Sequence, residues 1–556
     1  MLKIRKPNTL IYIVLLVILS LVASACTKQQ ENELVSNGME GMPCHRMPNG
    51  ELMGDCDGVE ETQGEETMGM MSQQATFRIG SSADSSSLKV AKPTSILDLE
   101  DGDEVDITAE IVLKEIDGQT FRMYAYNGRI PGIALRVKQN SKITVNFHNK
   151  IDQETTIHWH GLRHDIKDDG VPGISQDPVK PGESYVYSLF FPDEGIYWYH
   201  PHVREDIQQE GGLAGNMLVV PSDPDYWNPV NREELLVLDD LLIRNGELMP
   251  FGKEYATHST MGRFGNVLLT NGDTNYSLSA NEGEVIRFYI TNAANVRPFK
   301  LSFGGARMKL VGSDMGKYER EEFVEGVIMA PGERYIVEVY FDKAGKYYLE
   351  HNTPEKRYML GEIQVSGSKA KLDYSSYFNN LKTNEDISEE IDEFRQYFEK
   401  PVDYSLVLDI DMPGMQMMGE AENHESIEWE DTMQQMNEMM DSSDMTWILK
   451  EENTGKENMD ISMDSKVGDK VKIRIFNDPE SMHPMQHPIH LHGQRFLILK
   501  KNDVPADNLV WKDTVLVGIG ETVEILVDVT NPGEWMMHCH IAEHLEAGMM
   551  AEFSVG

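Results

Sequence analysis

The sequence predicts an all-β protein of three β-sandwich domains, preceded by a flexible segment and carrying one methionine-rich insertion. Its 556 residues exceed what a single core of ordinary size accommodates, so several domains are expected. From about residue 76 onward, short stretches of alternating apolar and polar residues are separated by Gly, Pro and Asn turns, which is typical of sandwiches and barrels. One run of motifs in this region occurs three times and divides it into three similar units.

Residues 1–25 have the layout of a secretion signal. Basic residues near the start precede an apolar run at 10–22. The Ala-Ser-Ala-Cys that follows resembles a bacterial lipobox, in which Cys26 would be lipidated and become the mature N-terminus. An uncleaved membrane anchor is the alternative, because Ala23 stands where a lipobox usually has Leu. Both interpretations put the folded domains outside the cytoplasm, as a bacterial cell-membrane lipoprotein or as a periplasmic or secreted protein.

Residues 26–85 predict a lipidated, flexible, methionine-rich tether, because most of this segment is polar, rich in Gly and poor in large apolar side chains. Seven of the 33 Met lie at 39–71, where there is no core for them to fill. Thioether sulfur suits Cu(I), so these Met are candidate ligands; a linker of biased composition is the alternative. Cys44 and Cys56 could pair in an oxidising compartment or bind copper.

The charge of the chain narrows the choice of partners. A formal net charge of −42 argues against nucleic acid. Such a surface attracts small cations, although solubility alone also accounts for it. After the signal segment, no stretch of the sequence is apolar enough to span a bilayer.

The repeat places the domain boundaries at 86–225, 226–372 and 373–556, with the insertion at about 412–463 in the third domain. Each unit begins with an Asn-containing turn before a strand and closes with a Gly before an aromatic or apolar strand. Strands are expected at 141–147, 284–290, 470–475 and 522–527.

Histidines mark the outer two units and are missing from the middle one. Counted from the closing Gly, the first and third units have His at the fifth and seventh positions, where the middle unit has Glu350 and Asn352. An earlier His-x-His-Gly in the outer units corresponds to Leu-Ser-Phe-Gly at 301–304 in the middle unit. Four His-x-His pairs result, at 158/160, 200/202, 490/492 and 538/540, whereas 17 His in 556 residues would give roughly half a pair by chance. The outer units are therefore predicted to bind metal. The other seven His are expected to be ordinary surface or hydrogen-bonded side chains: His45, His148, His164, His258, His351, His424 and His483.

The last of these pairs flanks a cysteine and belongs to a candidate blue-copper centre. Such a centre uses two imidazoles, one thiolate and a weak axial thioether. Cys539, His544 and Met549 supply three of these ligands, and His487, just before the 490/492 pair, supplies the missing imidazole. If the segment is extended, the two His next to Cys539 point to the face opposite its thiol. One short strand can thus hold copper on one side and offer imidazoles to other metals on the other.

The motifs HxH-G, HxH, HxxHxH and HCHxxxHxxxxM, in this order, resemble those of three-domain multicopper oxidases, the group of the laccases and bacterial cuprous oxidases. The resemblance covers about residue 86 to the end. It implies three cupredoxin-like Greek-key domains, four copper ions and the reduction of dioxygen to water. The type 1 ligands are matched by His487, Cys539, His544 and Met549, the type 2 pair by His158 and His490, and the binuclear type 3 pair by His160, His200, His202, His492, His538 and His540.

The same resemblance suggests which residues deliver protons. Asp169, in Asp-Asp-Gly after the first motif, resembles the acid that assists near the type 2 copper; a turn Asp before Gly is the alternative. Bacterial members often carry Glu directly after the second type 1 His, where this chain has Leu545. The sequence therefore offers two candidates for the second proton donor, Glu543 and Glu546.

The insertion suggests the reductant. Eleven Met lie at 412–463, interleaved with acidic residues, just before the type 1 His487. The segment resembles the methionine-rich insertion of bacterial cuprous oxidases involved in copper tolerance, and its thioethers could capture Cu(I). A helix with Met as core filler is the structural alternative, because Met433, Met436 and Met440 follow helical spacing.

Cu(I) is the leading reductant, and several other functions remain open. Laccase-like oxidation of phenols, or oxidation of Mn(II) or Fe(II), is the same chemistry with another donor. A copper-sequestering lipoprotein is a non-enzymatic alternative, but storage does not need the type 3 geometry. Copper nitrite reduction does not need the six type 3 imidazoles. The oligomeric state stays open.

Overall fold

The computed structural model describes residues 74–414 and 425–556, together with the backbone of His45–Arg46 and Leu52–Met53, which pair as antiparallel strands. The signal segment, Cys26, Cys44, Cys56, His45 as a side chain and His424 lie outside these described residues, as do the methionines of 39–71 and Met415, Met417 and Met418. The described residues from 74 onward belong to one compact unit. Among the described residues, no helix is long and apolar enough to cross a membrane.

Three two-layer β sandwiches follow one another along the chain, which confirms the predicted all-β fold class. In the first sandwich, one sheet runs His158–His160, Gly195–His200, Gly215–Val220, Ala134–Lys138, Ile96–Leu99 in spatial order. The other sheet runs Ser184–Phe190, Lys142–Lys150, Glu104–Ile116, Lys89–Val90, with Gln119–Tyr126 also paired to Glu104–Ile116. Apolar and polar side chains alternate between buried and exposed along most of Glu104–Ile116, as a half-buried strand requires.

The second sandwich has the same two-layer plan. Its larger sheet runs Val267–Thr270, Arg232–Leu241, Glu284–Asn292, Arg334–Phe341, Arg307–Ser313, Gly316–Val324. Its smaller sheet runs Ser277–Glu282, Arg357–Lys369, Gly345–Asn352, Phe299–Gly304, Val327–Met329. The strand predicted at 284–290 is therefore present as Glu284–Asn292.

The third sandwich carries the C-terminal motifs. Its larger sheet runs Thr446–Glu451, Tyr404–Asp411, Lys470–Asn477, Thr522–Asp528, Arg495–Lys501, Val504–Pro505. Its smaller sheet runs Ser462–Ser465, Met550–Val555, Gly533–Cys539, His487–Leu491, Thr514–Val517. Short antiparallel pairs complete the strands: Thr76–Phe77 with Phe251–Gly252, and Ile243–Arg244 with Glu247–Leu248.

Helices in the described part of the chain are short and lie between the sheets' strands. The α-helices are Glu205–Gln208, Ser375–Asn379, Glu385–Asp392, Gln434–Met439 and Ala542–Glu546. The 3-10 turns are Ser85–Ser87, Ile166–Asp168, Arg395–Tyr397 and Asn458–Asp460.

The methionine-rich insertion divides into a buried and an accessible part. Met412, Met440, Met445 and Met463 are buried in the apolar core of the third sandwich, as expected of core filler. Met433 and Met436 are only partly buried against that core, and Met439 is 64% exposed. The helical spacing predicted from Met433, Met436 and Met440 is confirmed as a single short helix, Gln434–Met439, with Met433 and Met440 at its two ends.

Hydrogen bonds fasten this helix to a loop of the second sandwich. The Asn437 side chain donates to the Gly262 carbonyl (2.9 Å) and accepts from the Met261 amide (3.0 Å). The His258 amide donates to the Met440 carbonyl at 3.1 Å. This helix is thus held in place from both sides, by its own sandwich and by its neighbour.

Candidate metal centre

Backbone pairing brings the four His-x-His motifs together in two places. In the first sandwich, His158 lies opposite His200 in the register of strands His158–His160 and Gly195–His200. In the third sandwich, His490 lies opposite His538 in the register of His487–Leu491 and Gly533–Cys539. Each sheet therefore presents two motifs side by side at its end, and these ends face each other.

All eight predicted imidazoles of these motifs are buried and form one cluster between the first and third sandwiches. Three of the cluster's triplets have ligand atoms within 4.8 Å of one another: His158, His160 and His490; His160, His200 and His540; His202, His492 and His538. His158 stacks on His492 with ring centroids 4.0 Å apart, and His160 stacks on His490 at 3.7 Å. The last two triplets together contain the six imidazoles of the predicted type 3 set, and the first contains the predicted type 2 pair.

Hydrogen bonds fix which nitrogen faces the middle of the cluster. The Nδ1 atoms of four imidazoles lie at hydrogen-bonding distance from backbone carbonyls: His158 to Asp169 (2.8 Å), His200 to Pro201 (2.9 Å), His490 to Asp513 (2.9 Å) and His538 to Cys539 (2.8 Å). A neutral imidazole that donates from Nδ1 has its lone pair on Nε2. The Nε2 atoms of His158, His200, His202 and His490 are buried and have no hydrogen-bond partner among the described residues. Buried polar atoms without partners are rare, and a metal cluster would satisfy all of these.

Burial disfavours the charged form of seven of these imidazoles. It lowers the pKa of His202 to about 3 and that of His490 below its ordinary value. The same cause, reinforced by neighbouring imidazoles, holds the pKa well below 6.5 in the others: His160, His200, His492, His538 and His540. Neutral imidazole is the form that binds copper, so the cluster is chemically suited to the predicted ions.

Cys539 is the centre of the second site. Its Sγ lies 3.5 Å from Nδ1 of His487 and 3.8 Å from Nδ1 of His544, and these two nitrogens are 3.3 Å apart. One ion about 2 Å from each nitrogen fits such a triangle. Burial raises the pKa of the Cys539 thiol, so a bound cation is needed to hold the thiolate.

The turn after Cys539 brings the remaining ligands back to it. Helix Ala542–Glu546 places His544 beside the thiol. The Cys539 amide donates to the carbonyl of Met549, and the Met549 amide donates to the carbonyl of His544, both at 3.1 Å. Met549 is fully buried on this segment, and its role as axial ligand stays a prediction.

Asp169 lies where the first and third sandwiches meet. Its Oδ2 is 2.8 Å from Nδ1 of His492, and its Oδ1 is 3.4 Å from Nδ1 of His158 and 3.5 Å from Nε2 of His164. Burial opposes ionisation, but the imidazoles of His492 and His158 hold the pKa of Asp169 well below its usual range. The predicted location next to the type 2 pair agrees with these distances, whereas its part in proton transfer stays a prediction.

A further carboxyl beside the imidazoles is one that sequence reasoning missed. Glu205 Oε1 lies 3.2 Å from Nδ1 of His202, and Glu205 is buried at the start of helix Glu205–Gln208. Burial, followed by the charge of Glu546, raises its pKa well above 4.5. The spacing of three residues after His202 is a signal that could have identified it.

The two predicted donors occupy the same acidic region. Glu543 is buried and accepts a hydrogen bond from Asn295 Nδ2 at 3.1 Å, and burial raises its pKa to about 8. Burial and the nearby Asp206 raise the pKa of Glu546 to about 7. Leu545, between them, packs in a small apolar cluster with Val171 and Met536. Both Glu stay candidates, with Glu205 added to them.

An indole covers the Cys539 site. The Trp447 ring lies nearly parallel to His544, with centroids 4.0 Å apart, and meets His487 edge-on at 5.0 Å. Its Nε1 donates to the carbonyl of Ser259 in the second sandwich at 2.7 Å. Both imidazoles are buried, with at most 1% of their surface exposed. Nothing in the sequence singled out Trp447, because its contacts are with residues far away in the chain.

Comparisons with known proteins agree with this geometry. Three models of multicopper oxidase domains match residues 108–224, 225–365 and 429–556. A multicopper oxidase of Staphylococcus epidermidis is 26% identical over 438 residues, which cover 77% of this chain and 83% of the relative. The exact boundaries of the three predicted domains stay predictions.

Solved structures share the architecture. A multi-copper oxidase from Pseudomonas thermotolerans is 25% identical with a TM-score of 0.62, covering 83% of this chain and 100% of that structure. A Campylobacter jejuni multicopper oxidase described as a metallo-oxidase has the same fold, at 24% identity and a TM-score of 0.62 over 84% of this chain and 95% of that one. With its fold, its buried imidazole cluster and the matched family models, this chain belongs to the multicopper oxidases, a family of copper-dependent oxidoreductases.

Proposed function

We propose that this enzyme oxidises Cu(I), one electron at a time, and couples this to the four-electron reduction of dioxygen to water in copper tolerance. One observation carries the choice of reductant: the Cys539 site is covered by Trp447 and belongs to the same apolar core against which Met433 and Met436 of the insertion pack. A small soft cation suits such an entrance, because thioethers bind Cu(I) and a bulky phenol cannot reach a buried imidazole edge.

The residues fit four copper ions, as the family implies. His487, Cys539 and His544, with Met549, would hold the type 1 ion; His158 and His490 would hold the type 2 ion. The two type 3 ions would be held by His160, His200 and His540 and by His202, His492 and His538. Together the ions supply a store of four electrons, which lets dioxygen be reduced without release of a half-reduced product.

The chain's own residues join the two sites and supply protons. His538 and His540 belong to the imidazole cluster, and Cys539 between them belongs to the type 1 site, so a few covalent bonds connect both. Asp169 orients imidazoles from both outer sandwiches and is the proposed acid at the type 2 pair. Glu543 and Glu546 are the proposed further donors.

Electrons are proposed to enter through the insertion. Met439 is exposed on helix Gln434–Met439, and Met433 and Met436 pack against the core that contains Trp447. Carboxylates next to this helix would attract the cation, whereas Glu438 on the helix itself is paired with Arg244. The indole contacts both imidazoles of the proposed type 1 site.

Oxidation of phenols, Mn(II) or Fe(II) is the second candidate, since the family also includes laccases. Steady-state turnover of Cu(I), a phenol and Mn(II) by the copper-loaded enzyme decides between them. We expect the highest kcat/KM for Cu(I). A higher value for the phenol would overturn the choice of reductant while leaving the oxidase function intact, and absence of turnover with all three would favour copper sequestration.

We further propose that the enzyme is an extracytoplasmic lipoprotein anchored through Cys26. The support is the order of basic, apolar and lipobox-like residues at 1–26. Mass spectrometry of the mature protein tests it, with a lipid-modified Cys26 expected. An unmodified N-terminus at Met1 would contradict the proposal. So would a Cys26→Ser variant that stays bound to the membrane to the same extent as the unsubstituted protein.

A further inference from the structure

The second sandwich contributes no imidazole, yet its backbone touches the cluster. The turn at 331–333, equivalent to the Pro-Gly-Glu turn of the first unit, places Gly332 against two ligands. A Cβ on Gly332 would lie 2.8 Å from Cδ2 of His540 and 3.2 Å from Cε1 of His160. Gly332 has φ +80°, so both its conformation and its surroundings require glycine.

The residue after this turn links all three sandwiches. Arg334 is fully buried, and its guanidinium donates to both carboxylate oxygens of Asp513, at 2.6 and 2.5 Å. Arg334 Nε donates to the carbonyl of Ile196 in the first sandwich at 2.9 Å. Asp513 directly precedes strand Thr514–Val517 of the third sandwich. A bidentate pair of this kind fixes direction as well as distance.

Asp513 also contacts His160, one of the predicted copper ligands. Its Oδ1 lies 2.9 Å from Nε2 of His160, and Thr514 Oγ1 lies 3.1 Å from the same nitrogen. His160 therefore donates from Nε2, and its Nδ1 faces His540 Nε2 at 3.2 Å. This orientation is the reverse of the four imidazoles that donate from Nδ1 to carbonyls.

The Arg334–Asp513 ion pair packs closely against the residue that follows His160. Gly161, the residue after His160, has φ +89°, and a Cβ there would lie 2.5 Å from Oδ2 of Asp513 and 2.9 Å from Nη2 of Arg334. The glycine of the His-x-His-Gly motif thus makes room for the ion pair, which explains the motif's fourth residue in the first unit.

We propose that Arg334 and Asp513 are positioning residues through which the second sandwich sets the ring orientation of His160 and so assembles the binuclear pair. The inference rests on the proposed copper-oxidase function, since it concerns the ligands of that site. It assigns a role in the metal centre to the middle unit, whose own ligand positions hold Glu350 and Asn352.

The test compares copper-loaded Arg334→Gln and Asp513→Asn with Arg287→Gln. Arg287 forms an equally buried ion pair with Glu338 (2.7 Å) in the second sandwich and does not contact the cluster, so its variant controls for lost stability. The readouts are copper content, the blue absorption of the type 1 site, and the fraction of copper visible by electron paramagnetic resonance.

For Arg334→Gln and Asp513→Asn, we expect the blue absorption to persist and the copper at the binuclear position to be lost or uncoupled. In the uncoupled case the visible fraction rises up to about twofold, because the two ions of a coupled pair are silent and the other two are not. Arg287→Gln should lower the melting temperature and leave the visible fraction unchanged.

A normal copper content and visible fraction in both cluster variants would overturn the inference, because the ion pair would then only stabilise the interface. If Arg334→Gln does not fold, Asp513→Asn carries the test, since it keeps the side chain's shape. These readouts need no reductant, so a failure of this inference is distinguishable from a wrong choice of Cu(I) as substrate.

Discussion

At the scale of single residues, Cys539 matters most, because it belongs to one metal site while its two neighbours belong to the other. The thiol is buried with two imidazole nitrogens within 3.8 Å, and only a bound cation offsets the burial that raises its pKa. No other described cysteine is available to take this place.

The substitution Cys539→Ser should remove the blue absorption and reduce oxidation of every donor to background. The fold should persist, because serine has nearly the same volume and the imidazole cluster keeps its ligands. Absorption, copper content and circular dichroism of the loaded protein check this. Retained blue colour would show that the thiolate site lies elsewhere.

Trp447 is the residue that closes the type 1 site, so its removal should change substrate choice. In Trp447→Leu, we expect phenol turnover to rise relative to Cu(I) turnover by about tenfold or more, since one imidazole edge becomes reachable. The ratio of the two kcat/KM values is the measurement. Trp535→Leu is the control, because Trp535 is also a buried indole of the third sandwich; an equal rise there would indicate general loosening instead.

At the scale of elements, the described methionines of the insertion divide into buried and accessible ones. Its buried methionines fill the core of the third sandwich, and those on helix Gln434–Met439 remain accessible. Composition alone could not separate the two groups, because the distinction depends on which side chains enter the core of the third sandwich.

Replacing Met433, Met436 and Met439 together with Leu should raise KM for Cu(I) by about tenfold, or about 1.4 kcal/mol, with little effect on phenol oxidation. Leucine preserves volume and removes only the thioether. The matched control replaces the buried Met412 and Met463 in the same way. An unchanged KM in the first variant would mean that Cu(I) is captured elsewhere.

The motifs indicated which imidazoles to expect together, because a repeat fixes equivalent positions in equivalent strands. The division of the six predicted type 3 imidazoles into His160, His200 and His540 and into His202, His492 and His538 comes from the structure, and their role as copper ligands stays a prediction. Trp447, Arg334, Asp513 and Glu205 were not predicted as parts of the site. Three of them act through contacts with residues more than 90 positions away, and sequence spacing carries no information about such pairs.

At the scale of the whole molecule, the two outer sandwiches share one imidazole cluster, and Gly332 of the middle sandwich packs against two of its rings. A ligand that binds only the folded state stabilises it by about 4 kcal/mol at a free concentration 1,000 times its Kd. Copper should therefore raise the melting temperature of the chain, because its ligands come from both outer sandwiches at once.

Calorimetry of the copper-loaded and chelator-treated protein measures this effect. We expect the loaded protein to melt at a clearly higher temperature, and Cys539→Ser to show a smaller rise, because it keeps the imidazole cluster and loses only the type 1 ion. Equal melting temperatures with and without copper would contradict a cluster that joins the outer sandwiches.

The proposed activity is tested most directly by the amount of dioxygen consumed per Cu(I) oxidised, measured with an oxygen electrode and a peroxide assay. Four-electron reduction predicts one dioxygen for every four Cu(I), with no hydrogen peroxide formed. Uptake of one dioxygen for every two Cu(I), with peroxide accumulating, or no uptake by the copper-loaded enzyme, would contradict the account.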